Sequence, residues 1–261
     1  MTDMFDISGK IAVVTGGSRG IGKMIASEFV RRGVRTYITA RKAEACLQTA
    51  EELSEFGECI ALPVDLSKME GIESFVSEVE AREQQLDILV NNAGTTEFIS
   101  FKNLEAADLE AWERIFRVNV IGAFQMARAS ARAMELTSGK GHIVNVSSIA
   151  GLNATGSSIP YAASKAALNN VTISLARTLA PTIRVNAVAP GFITGRWLED
   201  GLGENYEKFR DAFNEQLPLG RVCEPEDVAD AILSLVIGSK LITGQILSCD
   251  SGMSVMAPLK I

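Results

Sequence analysis

Short aliphatic and β-branched runs alternate with longer stretches of mixed apolar and charged residues along the chain. The run KIAVVT (10–15) is apolar at successive positions, the pattern of a strand covered on both faces. The same pattern predicts strands at 35–40 (RTYITA), 59–65 (CIALPVD), 86–92 (LDILVNN), 141–148 (GHIVNVSS), 183–190 (IRVNAVAP) and 244–250 (GQILSCD). Pro63 weakens the third, because proline has no N–H to give a ladder. Helical spacing predicts helices at about 21–32, 44–56, 70–85, 105–117, 119–136 and 161–179. Gly33 and Gly57 stop two of them, and Pro160 and Pro181 bracket the last. Strands alternating with helices mean right-handed crossovers, hence an α/β fold: a doubly wound sheet of about seven parallel strands with helices on both faces. No repeat, low-complexity segment or linker interrupts the pattern, so 1–261 is read as one domain, least regular at 191–220. Ligands of such a sheet lie beyond the carboxyl ends of its strands.

Composition narrows the function classes. The net charge of −7 argues against nucleic acid or an anionic membrane surface as partner. The start, MTDMFDISGK, has no basic segment followed by an apolar run, and no stretch approaches a membrane span. The four cysteines (Cys46, Cys59, Cys223, Cys249) lack paired metal spacing and read as reduced thiols of a cytoplasmic protein. A single histidine, His142, argues against a Ser-His-Asp hydrolase and against a histidine metal site, so no metal is expected.

TGGSRGIGK (15–23) joins the first strand to the first helix. Gly17, Gly22 and Lys23 fit the spacing of a triphosphate loop, but Met24 stands where such a loop needs a magnesium-holding hydroxyl. Gly16, Gly20 and Gly22 fit a dinucleotide turn, although their G-x-x-x-G-x-G spacing departs from G-x-G-x-x-G. An acid at the end of the second strand would accept the ribose 2′-OH of NAD(H). That strand ends Ala40-Arg41 instead, and Arg41 with Arg19 makes a clamp for a 2′-phosphate, so the expected cofactor is NADP(H) rather than NAD(H). Two solvated arginines would look the same.

Tyr161 and Lys165 lie four apart at the start of a helix and share a face. An ammonium beside the phenol is expected to lower its pKa, making Tyr161 an acid/base with Ser148 as hydrogen-bonding partner. The same pair also occurs on solvated helix faces.

TGGSRGIG, NNAG (91–94), Asn119 within RVNVIG, Ser148, YAASK (161–165) and PGFIT (190–194) follow one another in order. Together they resemble the short-chain dehydrogenase/reductase family, over nearly the whole chain, and within it the NADPH-dependent 3-oxoacyl-(acyl-carrier-protein) and carbonyl reductases. The resemblance implies a Rossmann-type sheet and hydride transfer between nicotinamide and a carbonyl or secondary alcohol. It implies Tyr161 as acid/base, Lys165 on the nicotinamide ribose, Ser148 on the substrate oxygen and Asn119 holding a relay water. It implies a cofactor cradle of Gly16, Ser18, Arg19, Gly20, Ile21, Gly22 and Arg41. Asp65 and Leu66 would meet the adenine; Asn91, by its backbone, Ala93 and Gly94 would line the adenine ribose; Pro190, Gly191, Ile193 and Thr194 would approach the nicotinamide. A substrate lid is expected at about 195–220, with Trp197, Leu198, Tyr206 and Phe209 facing either an apolar substrate or the lid's own core. Arg128 and Arg196 stand as candidates for a phosphopantetheine arm of an acyl thioester. The family implies a homotetramer, and Ala127, Ala131, Ala163 and Ala167 would allow close helix packing. An NAD(H)-dependent alcohol, polyol or hydroxysteroid dehydrogenase, and a non-catalytic dinucleotide sensor, are the alternatives. The usual DGG near the end is here Asp250-Ser251-Gly252.

Overall fold

The computed structural model describes residues 6–256; residues 1–5, where the stretch read for a leader begins, lie outside the described residues. Seven strands pair in the order β3-β2-β1-β4-β5-β6-β7. They are β1 (Ile11–Thr15), β2 (Arg35–Thr39), β3 (Cys59–Ala61), β4 (Ile88–Asn91), β5 (Gly141–Val146), β6 (Ile183–Pro190) and β7 (Ile246–Cys249), and every pairing is parallel. β3 is shorter than expected: after Ala61 the ladder meets Pro63, which has no N–H. Alternation along β1 sends Ala12 and Val14 to one face of the sheet and Ile11 and Val13 to the other. The first face packs on α1 (Gly20–Arg31) and α2 (Ala43–Leu53) through Ile25, Phe29 and Leu53. The second packs on α3 (Met69–Glu83) and α5 (Ala123–Leu136) through Ile72, Val79 and Met126.

The helices expected at 105–117 and 119–136 form one rod. α4 (Leu109–Phe116) starts at Asp108, whose carboxylate accepts from the Ala111 N–H at 2.8 Å. It continues through a π-helical segment, Arg117–Gly122, into α5. A short α6 (Ala150–Asn153) precedes α7 (Ile159–Leu179), where Ser158 caps the start by accepting from the Tyr161 N–H. The irregular region holds α8 (Arg196–Leu202) and α9 (Tyr206–Gln216). α10 (Pro225–Ile237), absent from the strand-and-helix reading, completes the first face through Val228, Ile232 and Leu233. Its signals are local: Pro225 in the first turn, and a reciprocal capping box between Glu224 and Asp227. No helix among the described residues is long and apolar enough to cross a membrane.

His142, on β5, sits where charge is costly. Burial, with Arg184 and Lys10 nearby, pushes its pKa down to about 4, and its Nδ1 has no hydrogen-bond partner among the described residues. The unfolded chain takes up this proton below its ordinary value of about 6.5, and the folded chain waits until about 4, so stability falls as pH drops through that interval. Urea unfolding is expected to show the His142 contribution as a loss of up to about 3 kcal/mol between those pH values. His142→Asn should flatten that part of the curve; an unchanged slope would rule the assignment out.

Candidate active site

The sheet order reverses at β1, with β4 on one side and β2 on the other, and the crevice opens between the carboxyl ends of β1 and β4. Gly16 follows β1 with φ +67°, a left-handed conformation, and a Cβ there would lie 2.9 Å from the Cα of Ala93. At Gly22, inside α1, a Cβ would stand 2.2 Å from the Gly16 carbonyl oxygen, so only glycine lets the helix rest on the loop. Asn92 ties the two strand ends together: its side chain donates to the Thr15 carbonyl at 2.9 Å and the Gly16 carbonyl at 3.1 Å. The Thr15 hydroxyl accepts from the N–H groups of Asn92 and Ala93, each at 3.0 Å. This fixes Ser18, Arg19, Gly20 and Ile21 at the positive end of α1.

The triphosphate-loop reading fails on Lys23, whose ammonium pairs with Glu52 on α2 and does not reach into the loop. Arg19 and Arg41 are exposed at the ends of the glycine loop and of β2. Neither has an ion-pair partner within contact among the described residues, although the Arg41 charge is felt at Asp65. Burial pulls the Asp65 carboxyl up, but the Ser67 hydrogen bonds and the Arg41 and Lys68 charges hold it below its ordinary value. Its Oδ1 accepts from the Ser67 N–H at 3.0 Å and the Ser67 hydroxyl at 2.8 Å. Leu66, beside it, is buried, and the Leu66 carbonyl oxygen lies 2.6 Å from where a Gly122 Cβ would be. Asn91 has a buried side chain donating to Asn145 Oδ1 and the Ala123 carbonyl, each at 3.0 Å, which leaves only its backbone for the crevice.

Four polar residues meet beside this cradle. Lys165 is buried, and its Nζ donates to the Val146 carbonyl at 2.8 Å, 5.7 Å from the centre of the Tyr161 ring. The π-helical segment presents Asn119, whose Oδ1 accepts from the Thr95 N–H at 2.8 Å and whose Nδ2 donates to the Thr95 carbonyl and Ser164 hydroxyl. Gly94 stands against both: a Cβ there would lie 3.5 Å from Asn119 Oδ1 and 3.7 Å from Lys165 Nζ. Ser148 hydrogen bonds to the Tyr161 phenol. Its neighbour Ser147 points the other way, donating to Asn169 Oδ1 at 2.5 Å, as strand alternation requires.

The expected lowering of the Tyr161 pKa is overturned. Burial pushes the phenol up to about 12, and the Ser148 hydrogen bond only partly opposes it. Lys165 does not act on it as a strong charge, because its ammonium is turned to the Val146 carbonyl and burial depresses its own pKa to about 8.

Pro190 ends β6; Gly191 donates to the Cys249 carbonyl at 2.9 Å, and its α-carbon faces Asp250 with no room for a side chain. Ile193 bridges to Cys223, and the Thr194 N–H donates to the Cys223 carbonyl at 2.9 Å. The aromatics of the expected lid divide. Tyr206 stacks on Phe192 with ring centres 6.1 Å apart, and Phe209 packs into the same cluster with Phe213, so α9 uses them internally. Trp197 instead lies 6.4 Å from the Tyr161 ring. Arg128 pairs with Glu73 on α3, whereas Arg196 is exposed at the start of α8. Asn92, Ser164 and Asn169 support the site without having been singled out; the doubled asparagine at a strand end and the serine within YAASK were the signals for the first two.

A family model described as enoyl-(acyl carrier protein) reductase matches residues 16–254. The rhamnolipids biosynthesis 3-oxoacyl-(acyl-carrier-protein) reductase of Pseudomonas aeruginosa is 36% identical over 258 residues, covering 97% of this chain and 99% of its own. The chain belongs to the short-chain dehydrogenase/reductase family. As a member it is an oxidoreductase. The 7alpha-hydroxysteroid dehydrogenase of Clostridium sardiniense is a further relative of this short-chain dehydrogenase/reductase, 35% identical and covering 97% of this chain and 96% of its own. Among solved structures, the Pseudomonas aeruginosa RhlG/NADP active-site complex superposes with a TM-score of 0.86 at 35% identity, covering 98% of this chain and 100% of that one.

Proposed function

We propose that this short-chain dehydrogenase/reductase is an NADP(H)-dependent carbonyl reductase acting on a carbonyl or acyl-thioester substrate. One observation carries the reading: Gly94, next to the Ala93 that faces Gly16, lies against Asn119 and Lys165, and the Lys165 ammonium stands 5.7 Å from the ring of Tyr161, whose phenol Ser148 meets. The cradle fits a dinucleotide, since Gly16, Gly17 and Gly22 leave no room for side chains on the loop and two arginines without ion-pair partners among the described residues flank it. NADP(H) supplies the hydride when bound.

The chain's own groups manage the proton. A phenol with a pKa of about 12 is protonated at neutral pH, the form that donates to a carbonyl oxygen gaining charge. Ser148 gives that oxygen a second hydrogen bond. Lys165, buried and held by Val146, brings positive charge to the ribose side, and Asn119 braces the loop at Thr95. The carboxylate-free end of β2 and the Arg19–Arg41 pair favour a 2′-phosphate. A homotetramer fits the exposed Ile121 and Phe124 on the α4–α5 rod. Ala127 and Ala131 are buried within the subunit and are not available for that packing.

The test is a panel of ketones, polyols and 3-oxoacyl thioesters followed by absorbance with NADPH and NADH. Oxidation of NADPH by at least one carbonyl, at well above the NADH rate, is expected. No turnover with any substrate would return the chain to the dinucleotide-sensor reading, and an NADH preference would favour the NAD(H)-dependent dehydrogenases.

A further inference from the structure

Two aromatic rings beside the site are each left partly exposed to solvent. Trp197 on α8 is 39% exposed with its ring 6.4 Å from that of Tyr161. Phe98, in the loop after β4, is 40% exposed. That loop is anchored to the segment leading into α7: the Ile99 N–H donates to the Ser157 carbonyl at 2.8 Å, and the hydroxyls of Thr96 and Ser157 meet at 2.5 Å. The Phe98 ring reaches under α8, where Gly201 has no side chain; a Cβ there would fall 1.9 Å from two ring carbons. Beside Phe98, Glu97 is paired with Arg114, so its charge is already answered. The other aromatics of this region, Phe192, Tyr206 and Phe213, pack on one another. Phe98 and Trp197 thus belong to no internal cluster, and α8 itself has no buried residue.

We infer that Phe98 and Trp197 form an aromatic gate over Tyr161 that selects carbonyl substrates carrying an apolar chain or ring. The inference rests on the carbonyl-reductase reading and names its substrate class. Each half-exposed ring gains from covering apolar surface and gains nothing from a polyhydroxylated chain, which would have to shed water there. Full burial of a methylene corresponds to about a fourfold gain in binding, so a half-open gate should give about twofold to fourfold in kcat/KM per methylene. Gly201 sets the gate's position, since any side chain there displaces Phe98.

A homologous series of straight-chain 3-oxoacyl thioesters, from acetoacetyl upward, gives the slope of kcat/KM against chain length. A fused-ring ketone and a polyhydroxy ketone extend the comparison and separate acyl chain from ring. The wild type should rise along the series and reject the polyhydroxy ketone. Trp197→Ala, Phe98→Ala and, independently, Gly201→Ala should each flatten the slope, costing the long chains about tenfold more than acetoacetyl. A flat wild-type slope, or variants that run parallel to it, would overturn the gate while leaving the reductase intact. Binding without turnover is read separately from the fluorescence of Trp197 in a Trp112→Phe background, where it is the remaining tryptophan of the two. Quenching by a long-chain ketone with no oxidation of NADPH would keep the gate and sink the reductase. No quenching by any apolar ketone would sink the gate.

Discussion

Replacing Tyr161 with Phe is expected to lower kcat with NADPH and a carbonyl substrate by about 10²–10⁴-fold, with NADPH affinity kept. The substitution removes one oxygen and leaves the ring, so the contact with Trp197 persists, as does the backbone N–H that Ser158 caps. Lys165 keeps its bond to the Val146 carbonyl, and Asn119 its bonds to Thr95. What is lost is the proton donor; Ser148 alone can polarise the carbonyl but cannot complete the alcohol. Because burial sets the phenol near 12, the wild type should not lose reduction through its ionisation until strongly alkaline pH. A fall starting near pH 8 would instead belong to Lys165, whose buried ammonium loses its proton there, and its midpoint should be absent from Lys165→Met. The decisive measurement is single-turnover reduction alongside NADPH titration. Near-wild-type turnover in Tyr161→Phe would refute the assigned role, and loss of cofactor binding would make the residue structural.

The parts of this site differ in how far they could be read from sequence. The strand runs were legible because a parallel sheet covered on both faces demands continuous apolar segments, as in Ile11–Thr15 and Ile183–Pro190. Helical spacing put Tyr161 and Lys165 on one face, and strand alternation allowed only one of Ser147 and Ser148 to serve; their roles and the choice of Ser148 came from the family resemblance. α10 carried local signals at Glu224, Pro225 and Asp227 that went unread beside a region dominated by glycine and charge. The π-helical turn holding Asn119 had no local signal, because its geometry accompanies hydrogen bonds to Thr95 and Ser164 from distant parts of the chain. The direction of the Tyr161 shift was misread for a related reason. Spacing places an ammonium near a phenol but says nothing of how much water either loses, and here burial outweighs the pairing.

Replacing Arg19 and Arg41 together with serine is expected to raise the KM for NADPH by about 10- to 100-fold and to move that for NADH by less than about threefold. Both side chains are exposed and free of ion-pair partners within contact among the described residues, so removing them leaves no buried charge behind and should not unfold the loop. The glycine loop is held by groups that the change does not touch, the Asn92 amide and the Thr15 hydroxyl. The loss should therefore fall on the ligand that carries the extra phosphate. Exposed charges are screened, so the wild-type preference for NADPH should itself narrow as salt is raised, and the double variant should be nearly insensitive to salt in this respect. Introducing an acid at Arg41 should go further and favour NADH, because a carboxylate at the end of β2 accepts the ribose 2′-OH and repels a 2′-phosphate. Equal damage to both cofactors would mean that the arginines support the loop or the shared diphosphate, and the discrimination would then have to reside elsewhere around Asp65 and the end of β2.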